Sequence, residues 1–95
     1  MRVKWLKTAL AHLQELPTWI EEDFVAAAGD SVAPKVRSVI SAIEQLAENP
    51  AAPHGRAGRI AGTRECGVYF DHYTVIYRVQ SGVFQVLGIL PHVPR

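Results

Sequence analysis

The chain opens with a strand-like alternation and then changes to helical spacing. Residues 2–6 alternate polar and apolar side chains, which is the period of a short strand with one buried face. From there to residue 28, apolar side chains recur at intervals of three, four or seven, as in an amphipathic helix. Because proline lacks an amide donor and crowds the preceding turn, Pro17 predicts a break. The pattern therefore predicts one helix over residues 7–16 and a second helical segment over 17–28.

The clearest helical pattern lies over residues 32–47. Either Asp30 or Ser31 can cap its N-terminus, and Asn49–Pro50 ends it. The apolar side chains that share one side at helical spacing are Val32, Val36, Val39, Ile40, Ile43, Leu46 and Ala47.

After this helix, the pattern changes to a period of two. Two prolines and two glycines in residues 50–58 predict an irregular crossing loop. Three segments rich in β-branched and aromatic residues follow, and short turns separate them. The predicted strands are 64–70, 73–79 and 83–90, with a short additional strand over 59–62.

The middle strand shows most clearly which residues share a face. Its odd positions, from Tyr73 to Val79, are apolar or aromatic, whereas Thr74, Ile76 and Arg78 share the other face. The element order predicts an α+β fold in a single domain over residues 1–95. In this fold, an N-terminal strand precedes a long helical hairpin with a proline break. The hairpin packs on one face of a mostly antiparallel sheet of about four strands.

Composition narrows the class of protein. The hydrophobic share is 48% and the charged share 20%, as in a globular chain. A single cysteine, Cys66, excludes an intramolecular disulfide and a multi-thiolate zinc site and is expected to be a buried, inert thiol. The sequence contains neither a run of about 20 apolar residues nor a signal-peptide pattern. We therefore expect a soluble, cytoplasmic protein.

The net charge of +1 conceals an asymmetry between the two halves. Residues 1–50 carry five basic and seven acidic side chains, whereas residues 51–95 carry five basic and two acidic ones. All five basic residues of the second half are arginines, which suit planar contacts with carboxylates or phosphates. The overall charge is nevertheless low for a protein whose main task is to hold nucleic acid.

Two motifs carry a resemblance to a known family. Residues 55–65 read GRAGRIAGTRE, and residues 73–79 read YTVIYRV. In this order and spacing the chain resembles the RelE/ParE superfamily of bacterial toxins, whose members show GR-x-GR-x-x-GTRE and then Y-x-x-I-Y-R-V. Residues 86–95 are similar to the family's final strand and its terminal His/Arg cluster. The element order matches over residues 1–95, and the motifs match over 55–79.

The resemblance implies a toxin of a type II toxin–antitoxin pair. Such a toxin is held inactive in a hetero-oligomer by a cognate antitoxin, whose partly disordered segment folds over the helices and the sheet. RelE-like members cleave messenger RNA on the ribosome, whereas ParE-like members inhibit DNA gyrase. RelE-like proteins supply several lysines and arginines on the central strands and a terminal tyrosine or histidine.

This chain lacks several of those nuclease residues. Thr74 stands where the nuclease subfamily has an arginine, and Cys66 and Val68 stand where lysines are expected. Cleavage by the ribose hydroxyl needs a base, an acid and cations beside the phosphate. The hypothesis is therefore a ParE-like toxin that binds and inhibits DNA gyrase. A ribosome-dependent mRNA endoribonuclease and a degenerate, non-toxic binding scaffold remain open as alternatives.

Individual candidates each have a structural alternative. His92, with Arg78 and Arg64, is the weak catalytic candidate, but His92 can equally seat the C-terminal tail. Arg64 can pair with a nearby carboxylate, and Arg78 can line a groove. Trp19 can pack the seam between helices and sheet. The candidate contacts to the target or the antitoxin are Arg56, Arg59, Arg64, Arg78, His92, Arg95 and Trp19.

The sequence predicts neither a cofactor nor a metal. The four histidines show no i, i+4 pairing and no cysteine partner, so they do not form a metal-ligand pattern. Gly55, Gly58 and Gly62 do not precede a helix as a phosphate-binding loop would. We expect these glycines to mark turns with unusual backbone angles.

Overall fold

Seven elements make up the part of the chain that this computed structural model describes, which is residues 1–24, 31–50 and 55–91. Helices and strands follow the predicted order of strand, helices and hairpin-linked strands. The elements are β1 (Arg2–Trp5), α1 (Lys7–Phe24), α2 (Val32–Glu48), β2 (Arg56–Ala57), β3 (Arg64–Val68), β4 (Tyr73–Gln80) and β5 (Val83–Pro91).

The strands form one sheet in the order β1-β5-β4-β3-β2. Among the described strands, only β1 and β5 pair in parallel, and the other neighbouring pairs are antiparallel. The predicted α+β class and the mostly antiparallel sheet are confirmed, with five strands rather than about four. The additional strand is β2, where Arg56 faces Glu65, and not residues 59–62. Those residues form a turn because the Thr63 N–H donates to the Ile60 carbonyl at 3.1 Å.

The core lies between the sheet and the two helices. Tyr73, Val75 and Tyr77 of β4 are fully buried, so the face that these residues were predicted to share is the one that points into the core. Val79 is the exception, because 46% of it is exposed. The fully buried residues that the helices contribute are Ala9, Leu16 and Ile20 of α1 and Val39, Ile43 and Ala47 of α2.

Helix α1 continues through Pro17, so the predicted break is wrong. Leu16 and Ile20, one on each side of the proline, are both fully buried in the same core. Their packing offsets the hydrogen bond that Pro17 cannot donate to the preceding turn. The end of the predicted second segment, residues 25–28, lies outside the described residues.

Helix α2 is confirmed close to its predicted bounds. Ser31 occupies the N-cap position, but its side chain makes no capping hydrogen bond, and Asp30 lies outside the described residues. At the other end, the Asn49 N–H donates to the Leu46 carbonyl at 3.0 Å, which ends the helix before Pro50. Neither α1 nor α2 has the length and apolar character that crossing a bilayer would require.

The hairpins that join β3 to β4 and β4 to β5 use different turns. Between β4 and β5, Ser81 and Gly82 form a two-residue turn with φ of 53° and 73°. Two-residue turns with positive φ at both central positions match the twist of the flanking strands, and Gly82 adopts such an angle without steric cost. Between β3 and β4 the chain uses four residues, 69–72, whereas the predicted strand ran to Phe70. Tyr69, Phe70 and Asp71 all have positive φ, of 54°, 56° and 62°, which costs about 1–2 kcal/mol for each residue.

Candidate functional site

The sheet face turned away from the helices carries most of the polar side chains of the motifs; we call it the outer face. It includes Glu65 and Gly67 of β3 and Thr74 and Arg78 of β4. Strand residues alternate between faces, so Cys66 and Val68 of β3 point into the core beneath the helices. Cys66 and Val68, the two positions where lysines are expected in the nuclease subfamily, are therefore buried in this chain and cannot contact a substrate. On the outer face, the β3 positions that matter are Glu65 and Gly67.

Glu65 is the charge centre of the outer face. Only 3% of this residue is exposed. Its Oε2 accepts the Arg59 backbone N–H and the Arg59 Nε–H, both at 2.8 Å, and its Oε1 accepts from Arg59 Nη2 at 3.0 Å. Arg56 Nη2 lies 3.6 Å from the same Oε1. The hydrogen bonds from Arg59 lower the pKa of Glu65 to about 2 even though burial opposes this, so the carboxylate stays ionised.

The glycines of the GR-x-GR-x-x-GTRE motif build the loop that positions Arg59. The Gly58 N–H donates to the Thr63 carbonyl at 2.8 Å. A Cβ on Gly58 would collide with Thr63 Oγ1 and come within 3.0 Å of the Thr63 carbonyl. Gly62 has a φ of 81°. Of the three glycines predicted to need unusual backbone angles, Gly62 is confirmed, whereas the prediction is wrong for Gly55 and Gly58, which do not have positive φ; Gly58 is needed because of space.

Two further arginines are held by uncharged partners. Arg64 Nη2 donates to the Gly55 carbonyl at 2.8 Å, so the predicted carboxylate pairing of Arg64 is wrong. The neighbouring carboxylate points to the opposite face of the sheet. Arg78 is half-buried, and its Nε donates to Gln85 Oε1 at 2.6 Å across the strand pair β4–β5. Among residues 55–91, every arginine thus has a partner within the chain.

The remaining predicted site residues fall into two groups. Trp19 is half-buried in the seam between α1 and the sheet, where its ring stacks on Tyr73 at 6.3 Å with planes 21° apart. This placement favours packing over an exposed contact with a partner. His92 and Arg95 lie outside the described residues. Within the described ranges, the histidines, cysteine and acidic side chains form no group of three that could hold a metal ion.

A small cleft of about 300 Å³ opens on the outer face beside the β3–β4 turn. Its walls are Arg56, Gly67, Asp71 and Thr74. The Asp71 carboxylate lies over Gly67, in the space that a Cβ there would take. The cleft is polar, with the cation of Arg56, the carboxylate of Asp71 and the hydroxyl of Thr74 in its walls. The Asp71 carboxylate would repel an anion that entered it.

Several grooves lie along α2 on the helical side of the molecule, and two of them border another element. The first, of about 380 Å³, runs between α2 and β3, with Leu46, Val68 and Tyr69 in its walls. In the described part of the chain, β2 pairs with β3 only at Arg64 and Glu65, so no described strand covers the rest of this edge. Cys66 lines the same groove but is 1% exposed, and burial raises the pKa of its thiol, as expected for an inert cysteine.

The second groove, of about 430 Å³, lies where α1 and α2 meet. It is apolar apart from one cation, and its walls are Pro17, Val32, Ala33, Val36 and Arg37.

Comparison with known proteins decides the family. The family model described as the ParE toxin of the type II toxin–antitoxin system parDE matches residues 3–93. The chain belongs to this family. A relative from Sinorhizobium fredii, named "Putative toxin Y4kP", is 37% identical to this ParE-family chain, over 94% of the chain and 85% of the relative.

Solved structures share the fold of this ParE-family chain. A protein of the chromosomal ParDE toxin–antitoxin system of P. aeruginosa superposes with a TM-score of 0.79 at 19% identity, covering 98% of this chain and 97% of that one. A chain of the RelBE2 toxin–antitoxin complex of Mycobacterium tuberculosis gives a TM-score of 0.61 at 21% identity and 96% coverage of both chains. At these identities the likeness concerns the fold alone.

Sequence reasoning missed two features of the site. The pairing of Arg59 with Glu65 joins residues six positions apart across a turn, and the only available signal was their shared place in the motif. The solvent position of Phe70, which is 88% exposed, had no signal because the aromatic pattern assigned this residue to a strand.

Proposed function

We propose that this ParE-family chain is a toxin that binds and inhibits DNA gyrase without cleaving nucleic acid. The observation that carries the proposal is the engagement of Arg59 and Arg56 by the buried carboxylate of Glu65. Cations that catalyse RNA cleavage must be free to stabilise the negative charge that develops on the phosphate in the transition state. Here the Glu65 carboxylate accepts two hydrogen bonds from the Arg59 guanidinium and lies 3.6 Å from Arg56 Nη2, so its negative charge offsets both cations.

The neighbouring outer-face positions support the same proposal. Gly67 offers no functional group, and Thr74, 5% exposed, offers a hydroxyl that does not titrate in the physiological range. General acid–base catalysis needs a group whose pKa lies near the working pH. Neither residue supplies one, which favours inhibition by binding over chemistry at this face.

An antitoxin partner forms part of the proposal. The solved relatives of this fold come from toxin–antitoxin systems. The groove between α2 and β3 has mixed polar and apolar walls, whereas the groove between α1 and α2 is mainly apolar, and Arg37 in the latter suits an acidic side chain of a linear segment. We infer that the antitoxin binds this helical side of the toxin, and that both proteins act in the cytoplasm, where gyrase works.

A supercoiling assay tests the gyrase proposal. Purified toxin is added to gyrase and relaxed plasmid, and the supercoiled product is measured on a gel. We expect dose-dependent inhibition that the cognate antitoxin reverses when added in equal amount. Gyrase activity that is unchanged at a large excess of toxin would overturn the proposal.

Two further measurements address the alternative functions. Codon-specific cuts in a translated message, mapped by primer extension, would show a ribosome-dependent endoribonuclease instead. Unimpaired growth after induction of the toxin without its antitoxin would indicate a non-toxic binding scaffold. We expect no cuts and an arrest of growth.

A further inference from the structure

We propose that the β3–β4 turn, residues 69–72, is the element through which the toxin contacts the gyrase protein; we call it the aromatic tip. The inference rests on the proposed function. It is carried by the strained backbone of Tyr69, Phe70 and Asp71 together with the solvent position of the Phe70 ring.

The backbone of the aromatic tip is more costly than the connection requires. The neighbouring hairpin joins β4 to β5 with Ser81 and Gly82 alone. The tip instead holds three consecutive non-glycine residues at positive φ, and the His72 N–H donates to the Tyr69 carbonyl at 3.1 Å to close it. Strain of this kind is concentrated at functional sites. The β4–β5 turn joins two strands with less backbone strain than the tip. The additional strain therefore points to a role for the tip beyond joining two strands.

The conformation presents an aromatic side chain to solvent on a fixed base. Phe70 is 88% exposed, compared with 51% for Ile60 and 46% for Val79, which are other exposed apolar residues of the sheet region. Its ring meets the half-buried Tyr69 ring edge-on, at 5.5 Å between centroids. Tyr69 in turn packs against the core. Exposed aromatic anchors of this type carry much of the binding energy in protein interfaces.

Charge at the tip identifies the kind of partner. Asp71, which follows Phe70 in the chain, carries the only formal charge in residues 69–72 when His72 is neutral, and its carboxylate lies over Gly67 in the cleft that Arg56 also lines. An aromatic ring beside a carboxylate suits an apolar pocket bordered by an arginine or a lysine, which can stack on the ring and pair with the acid. Residues 69–72 contain no arginine or lysine that could pair with the phosphates of DNA, and the Asp71 carboxylate disfavours such a contact. We therefore assign the tip to a protein surface of gyrase rather than to its bound DNA.

Phe70, the exposed ring of the tip, lies outside the grooves assigned to the antitoxin. Tyr69 lines the groove between α2 and β3, whereas Phe70 does not. An antitoxin segment in that groove would lie beside the tip and block the approach of a large target. Substitution of Phe70 should therefore change target binding and leave antitoxin binding intact.

Variants at Phe70 test the inference in the supercoiling assay. Phe70→Gly and Phe70→Asn remove the ring and suit the left-handed backbone, so both variants should fold with an unchanged or higher melting temperature. We expect each to need at least about tenfold more protein for half-inhibition, as for an interface hot spot. Phe70→Tyr keeps the ring and should retain inhibition. Val79→Thr is the matched control, because it removes exposed apolar surface in β4, away from the tip, and should inhibit like the wild type.

The outcomes separate this inference from the proposed function. If the wild type inhibits gyrase and folded Phe70→Gly inhibits equally well, the tip is not the contact, although the gyrase assignment stands. If the wild type does not inhibit, the proposed function itself fails. Binding of labelled DNA by the toxin alone, lost in Phe70→Gly, would show a nucleic-acid contact and overturn the assignment to protein.

Discussion

The imidazole Nδ1 of His12 in α1 accepts the backbone N–H of Ile89 in β5 at 3.1 Å, across 77 positions of sequence. An irregularity of the sheet accompanies this bond: Ile76 faces Gly88 and Tyr77 faces Val86, so one residue of β5 between them has no opposite partner. Gly88 leaves room for the imidazole, since a Cβ there would come within 3.2 Å of Nδ1. Helix α1 is therefore joined to the sheet by a polar contact as well as by apolar packing.

Replacing His12 by leucine should destabilise the fold. The Ile89 N–H would lose its acceptor in a half-buried environment, which costs about 1–3 kcal/mol in the free energy of unfolding. Urea unfolding followed by circular dichroism measures this change. Gln14→Ala, at an exposed position of the same helix, serves as the control and should change the free energy little. Equal stabilities of the leucine variant and the wild type would contradict the assigned role of His12.

Replacing Pro17 by alanine should stabilise the protein. Alanine restores a backbone donor within α1 and removes the clash of the proline ring with the preceding turn, so we expect a gain of about 1–3 kcal/mol. Thermal unfolding monitors the change, and Thr18→Ala is the neighbouring control. A lower melting temperature for Pro17→Ala would mean that the proline contributes packing that outweighs the missing hydrogen bond.

The sequence predicted the parts of the fold that depend on periodicity. Tyr73, Val75 and Tyr77 alternate cleanly, so their common face could be predicted and is buried. A helix break at Pro17 was wrongly predicted because local helix propensity does not take account of the burial of Leu16 and Ile20 on either side of the proline. Strand β2 was missed because two residues are too short to show a period.

The site was less predictable, because its contacts join residues that the pattern treats separately. The motif marked Arg56, Arg59 and Glu65 as notable, but it did not indicate that a single carboxylate holds both arginines. The positive φ angles at Tyr69 and Phe70 have no compositional signal, since these residues are typical of strands. Such features depend on tertiary geometry and follow only from coordinates.

The low pKa of Glu65 predicts a dependence of stability on pH. Its pKa falls from 4.5 to about 2 on folding, so the unfolded chain binds the proton more tightly. The stabilising contribution is therefore complete above pH 4.5 and is lost as the pH falls towards 2. Urea unfolding between pH 2 and 7 should show this loss.

Glu65→Gln should remove much of that dependence on pH. At neutral pH we expect it to cost about 1.5–3 kcal/mol, because Arg59 loses a charged acceptor. Glu44→Gln, at an exposed position of α2, is the matched control and should keep the wild-type profile. If Glu65→Gln and wild type show the same pH profile, the Arg59 contact does not stabilise the fold.

Replacing Gly58 by alanine should disturb the loop that carries Arg59. The added methyl group meets Thr63 Oγ1 and lies within 3.0 Å of the Thr63 carbonyl, so the backbone must move. Overpacking of this kind costs about 1–3 kcal/mol. Amide NMR should show the largest chemical-shift changes at Arg59 and Glu65. Thermal unfolding should show a lower melting temperature. Ala61→Ser, exposed in the same loop, should leave both measurements unchanged.

The parallel pairing of β1 with β5 has a consequence for the order of events during synthesis. Residues 2–5 find their partners only at 83–86, and the Leu6 N–H donates to the Val86 carbonyl at 3.0 Å. A ribosome-bound chain that has not yet exposed β5 also lacks the strand that receives the His12 contact. Strand β1, although it is synthesised first, therefore cannot join the sheet until β5 has left the ribosome, and the polar tie from α1 forms only then.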